Sequence, residues 1–288
     1  SGTNEFKGSA YFYNTNVHLH GNKVAGEDLN PRQRSHKTTY GATLGGPIIK
    51  DKLFFFVNGE YEANVSAGPS RMARPNSSDD WGAKSNYNRP TVAKMDEIAN
   101  YLRSKYGYDP GAYQSYSLET PAYRILARLD WNINESNKVN VRFSRTHSKD
   151  SNNPSTSTSP LYAQTIYPGG IDSEGASITA SSNRGAYPAL YFESNRYFQE
   201  RNFTSFAGEW NSKWGSNLNN TLRMTYSYQD EPRTVVGGTF PTVDILDGGG
   251  VYTSFGPDPF TAGNLREVKT FVATDELTAN FGIHNLLA

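Results

Sequence analysis

The sequence predicts an all-β fold, an antiparallel up-and-down meander of about eight strands that forms an open part of a large transmembrane barrel. Three observations carry this. Side-chain character alternates with a period of two over runs reaching the roughly 9–11 residues a tilted strand needs to cross a bilayer. The runs are joined alternately by tight turns and by long Gly-, Pro-, Ser- and Asn-rich segments. The charges Arg124, Arg128, Asp130, Arg142, Glu209, Arg223 and Glu276 fall on one face, as expected where the other face meets lipid and a charge there would cost about 2–4 kcal/mol.

The first run is 5–13, where Phe6, Gly8, Ala10 and Phe12 alternate with Lys7, Ser9, Tyr11 and Tyr13. The next two, 38–48 and 53–63, flank the polar turn Lys50-Asp51-Lys52 and read as a hairpin. Tyr40, Ala42, Leu44, Phe55, Val57 and Tyr61 share an uncharged face, and Asn58, Glu60 and Glu62 lie opposite. Runs 122–133 and 138–148 surround the turn at Asn134 to Asn137, with Ile125, Leu129, Trp131, Val141 and Phe143 set against Arg124, Arg128, Asp130 and Arg142. Runs 198–213 and 218–231 surround Trp214-Gly215-Ser216-Asn217, with Phe206, Trp210, Met224 and Tyr226 set against Glu209 and Arg223. The eighth run, 267–281, ends at Gly282-Ile283-His284-Asn285, read as a further turn.

The long connections are 14–37, 64–121, 149–197 and 232–266. Loops beyond about 15 residues are uncommon in compact soluble domains. Here every second connection is that long, which places all of them at one end of the sheet. Short turns at one end and long loops at the other is the layout of outer-membrane barrels, with the long loops outside. One loop holds a helix: from the N-cap Thr91, Val92, Met95, Ile98, Ala99, Leu102 and Tyr106 recur at three- and four-residue spacing, and Gly107 stops it. Its stripe is expected to pack on its own loop; a gate or ligand contact is the alternative.

Composition excludes several classes. The 28 basic and 28 acidic residues balance, giving no electrostatic footprint for nucleic acid. No cysteine is present, so there is no disulfide framework and no thiolate site. The mean hydropathy is −0.68, and no run approaches the ~18 apolar residues of a membrane helix. Neither a barrel nor its wet lumen face requires one. Both chain ends read as cuts in a longer protein.

Two stretches carry a family resemblance. SGTNEFKGSAYFYN (1–14) and YGATLGGPIIKDKLFFFVNGEYE (40–62) resemble TonB-dependent outer-membrane receptors of the Oar-like type. In that family the first stretch leaves a plug domain and opens the barrel, and the second is the first periplasmic hairpin. The resemblance implies that residues 1–288 are the N-terminal part of a barrel of about twenty-two strands, with the plug and the later strands absent. It also implies energy-coupled uptake, with outer-membrane lipid, the TonB complex and an extracellular ligand as partners.

No catalytic, metal or cofactor residue is assigned, and an enzyme is not expected. His18 and His20 lie two apart without a third ligand, and His36, His147 and His284 are scattered. Asp244 and Asp247 before three glycines suggest a calcium loop only loosely; a flexible acidic loop is the reading preferred. No nucleotide or hydrolase fingerprint occurs. Loop aromatics crowd 81–116 and 162–192, and are expected mainly to pack the loops, with a smaller share left for ligand contact. The rivals to an uptake receptor are a non-transporting barrel such as an adhesin, an outer-membrane enzyme, and a soluble sandwich.

Overall fold

A computed structural model describes residues 3–19, 21, 23–28, 35–157, 167–179 and 183–288. Nine strands form one antiparallel wall in chain order, and a tenth short strand, Ser117–Glu119, pairs beside the loop end of Leu53–Ala67. The nine are β1 (Lys7–Asn16), β2 (His36–Ile49), β3 (Leu53–Ala67), β4 (Ala122–Asn132), β5 (Asn137–Asn152), β6 (Tyr197–Trp214), β7 (Leu218–Val235), β8 (Leu265–Phe281) and β9 (His284–Leu287). Each strand pairs with its chain neighbours and the wall stays open: β1 pairs only with β2, and β8 with β7 and β9. No ladder joins β1 to β8.

The eight expected strands are all present. β3, β5 and β7 run about four residues further toward the long loops than the alternation indicated; the end of β5, Lys149 to Asn152, is polar on both faces and so hides its period. One reading is corrected. Gly282 and Ile283 alone make the last turn, with Gly282 at φ 59, and His284 and Asn285 already belong to β9. A left-handed glycine lets a two-residue turn close a hairpin there.

The register tests the two-face assignment. One hydrogen-bonded row runs Gly8, Leu44, Val57, Ala127, Phe143, Phe206, Tyr226, Phe271. The adjacent row runs Ser9, Thr43, Asn58, Leu126, Ser144, Ser205, Ser227, Thr270. Apolar and polar rows on opposite faces are what period-two side chains produce in register. The polar face carries its own ion pairs: Glu60 with Arg124, Arg128 with Asp130 at 2.7 Å, and Glu209 with Arg223 at 2.8 Å. Gly41 lets the Tyr11 ring lie flat on this face, since a Cβ there would fall 2.0 Å from a ring atom. Tyr11 Oη then donates to Glu60 at 2.6 Å.

The apolar face has aromatic borders. Phe12, Tyr40, Tyr61 and Tyr123 form one row, and Leu53, Trp131, Val139, Trp210 and Leu222 form another toward the short turns. Tyr123 and Trp131 are eight residues apart on β4, about 27 Å along the strand and about 20 Å along an axis tilted ~40° from it. That approaches the ~25 Å apolar band of an outer-membrane barrel. The band also slants. The row of Tyr123 continues through His147, Asn202 and Asp230 to Glu267, and the aromatic of β8 nearest the long loops is Phe271, four residues lower. Four residues against four strand spacings is about 13 Å in about 19 Å, a tilt of roughly 35°.

Candidate functional site: the crown of long loops

Three of the long connections fold together at one end of the wall. Helix α1 (Val92–Tyr106) starts where Thr91 Oγ1 accepts the Lys94 N–H at 3.3 Å and stops at Gly107, whose φ is 64. Its Met95, Ala99 and Leu102 are buried at helical spacing. They meet Ala73 and Tyr108 of their own loop, Leu190 and Phe192 of the next, and Phe255 of the last. The helix therefore packs across loops, not only on its own. Under it lies a small sheet, Leu190–Tyr191 parallel to Gly250–Phe255, which is antiparallel to Val243–Asp247.

Buried ion pairs fix this body. Arg89 Nη1 donates to Asp172 at 3.0 Å and reaches Asp247 at 3.5 Å, with its guanidinium 5.0 Å from the Tyr252 ring centre. Arg184 meets Asp244 at 2.6 Å, and Tyr167 Oη and Ser254 Oγ donate to the same carboxylate at 2.8 and 2.7 Å. Arg74 meets Glu174 at 2.6 Å. Burial pushes the Asp172 carboxyl up, but the Ala176 N–H, the Arg89 guanidinium and the Glu174 N–H outweigh it and hold the group below its ordinary value. Burial and the Asp244 carboxylate push the Tyr167 phenol up to about 12, so it stays a donor.

Asp244 and Asp247 are thus strand residues fixed by arginines, which corrects the flexible acidic loop expected of them. No group of His, Cys, Asp and Glu that could hold a metal occurs among the described residues. His18 sits in a short 3-10 turn, and His20 lies outside the described residues.

The loop aromatics divide as expected between packing and exposure. Tyr108, Tyr167, Tyr191 and Phe192 are buried, while Tyr162 lies outside the described residues. Tyr101 and Tyr106 remain 55% and 58% exposed. With Ile98, Phe240, Val243 and Ile245 they line an apolar groove of ≈ 710 Å³ along α1. Phe240 stacks on Tyr108 at 4.0 Å and meets Tyr106 edge-on at 6.0 Å. Phe240 was not singled out from sequence, because nothing local links it to a helix more than 130 residues away.

The comparison with known families agrees with this architecture. Residues 1–288 match the family model described as an outer membrane beta barrel domain, and the chain belongs to that family. Its place is the outer membrane of a Gram-negative cell. No curated protein and no solved structure matches it.

Proposed function

We propose that this chain is the first part of the barrel of a TonB-dependent receptor, which takes up a solute by energy-coupled transport. The crown is its outer, solute-meeting surface, and the polar face of the wall is its lumen. The observation that carries the reading is the crown itself. Three long loops from one end of the wall bury a shared core and leave an apolar aromatic groove exposed. A barrel serving only as an anchor has no need to order so much loop, since ordering costs about 1–2 kcal/mol per residue of backbone entropy. The stretches at 1–14 and 40–62, which resemble Oar-like receptors, support the same reading. The wall lends itself to a wide lumen, because its inward charges pair along the wall and do not fill a narrow core.

The test uses the full-length protein in its own outer membrane. Cross-linking in intact cells should capture the receptor with TonB, and collapsing the proton-motive force should stop solute accumulation while surface binding persists. Surface binding with no TonB capture would favour a non-transporting barrel.

A further inference from the structure

Four arginines of the crown are buried: Arg74, Arg89, Arg184 and Arg196. The first three each face a carboxylate within 3.0 Å. Arg196, 3% exposed, does not. Its Nη1 donates to Asn153 Oδ1 at 2.6 Å and to Tyr191 Oη at 3.2 Å, and its Nη2 to Ser151 Oγ at 3.0 Å. Its Nε and the Tyr116 hydroxyl are buried against each other without a well-formed hydrogen bond. Arginine cannot shed its proton in a protein, so the charge stays. Burying an ion costs several kcal/mol; three neutral oxygens and the field of Glu193, which makes no ion pair with it, return only part of that.

Arg196 lines a pocket of ≈ 500 Å³ with Ser70, Arg71, Asn153, Thr156 and Tyr191. Arg71 is a second cation, with no ion pair to a carboxylate among the described residues; its guanidinium lies 5.1 Å from the Tyr187 ring centre. No Asp or Glu lines this pocket. Residues 158–166 and 180–182 of the same loop contain none either. The pocket sits where the ends of β3, β5 and β6 meet the crown, between Ala67, Asn153 and Arg196. Two guanidinium groups without an ion pair, beside two hydroxyls, an amide and a phenol, are the donor set that recognises a tetrahedral or planar oxyanion.

We infer that this pocket binds an oxyanion, a phosphate or carboxylate group on a small solute, with Arg196 and Arg71 supplying the charge. The groove along α1 is a separate place, lined by none of these residues. The inference stands whether or not uptake is energised, because it concerns binding alone.

The experiment is calorimetric titration of the purified full-length receptor in detergent with inorganic phosphate, with citrate, and with glycerol as a neutral control. Saturable binding of phosphate, citrate or both is expected, with none for glycerol. R71Q and R196Q should each weaken it by about tenfold or more, as expected when one member of a buried charge pair is removed. R71Q decides the matter if R196Q fails to assemble, since Arg71 is only half-buried and is not part of the crown's core. Absence of saturable heat with both anions overturns the inference. So does an R71Q receptor that binds them as tightly as the parent.

Discussion

At the residue scale, Leu129 and Asn58 separate the two faces. Leu129 lies on the apolar face of β4, opposite Phe55 on one side and Val141 on the other. Asn58 lies in the polar row between Thr43 and Leu126, and its Oδ1 is buried without a partner. An arginine at Leu129 would project into hydrocarbon near the middle of the band, at a cost of about 2–4 kcal/mol. An arginine at Asn58 would project into the lumen. In the full-length protein L129R should reduce the assembled, heat-modifiable form far more than N58R does. Equal yields of the two would mean that the faces are assigned the wrong way round or that the wall is not a membrane wall.

At the scale of elements, what the sequence shows and hides follows from range. The wall strands were legible because a strand writes its faces into neighbouring residues, and α1 because its caps and stripe are local. The crown was not legible. Its ion pairs join Arg89 to Asp172 and Asp247, and Arg184 to Asp244, across loops whose local composition reads only as Gly, Ser and Asn. The strands of its sheet are also too short for alternation to register. The unpaired Arg196 was invisible for the same reason, since only the folded loops show which arginines find carboxylates.

The buried pairs make the crown acid-sensitive in a defined direction. The folded-state pKa of Asp172 is depressed, so its contribution is complete above the ordinary carboxylate value of about 4 and is lost as pH falls through the folded value. D172N removes the same charge at neutral pH and leaves Arg89 with Asp247, at 3.5 Å, as its one carboxylate beside three backbone carbonyls, a loss of about 3–5 kcal/mol to the crown. Limited proteolysis of the protein in membranes should then cut within 149–197 and 232–266 at neutral pH in D172N, and in the parent only in strong acid. Parent-like resistance of D172N would show that Asp172 does not hold the crown together.

At the scale of the whole molecule, the wall's two edges decide what the chain can do alone. β1 is hydrogen-bonded on one side only and is exposed along nearly all its length. β8 meets β9 only near its end, and its first twelve residues are exposed, including Val268, Phe271 and Val272. Natural sheets blunt long edges with proline, lysine, bulges or covering loops. Here each edge is long and ladder-regular, with Phe12 on β1 and Phe271 on β8 toward the lipid face and Val268 and Val272 of β8 toward the other, which suits strands that acquire neighbours and not strands that end a sheet. Closing eight or nine strands on themselves would also leave a lumen just wide enough to be filled by side chains. The inward Arg, Glu and Asp pairs are half-exposed and spread along the wall instead. Residues 1–288 expressed without the rest of a barrel should therefore aggregate in the absence of detergent, and in detergent should give no compact heat-modifiable species. The full-length protein should give one. A monodisperse, heat-modifiable monomer from residues 1–288 alone would overturn the open wall and establish a small closed barrel in its place.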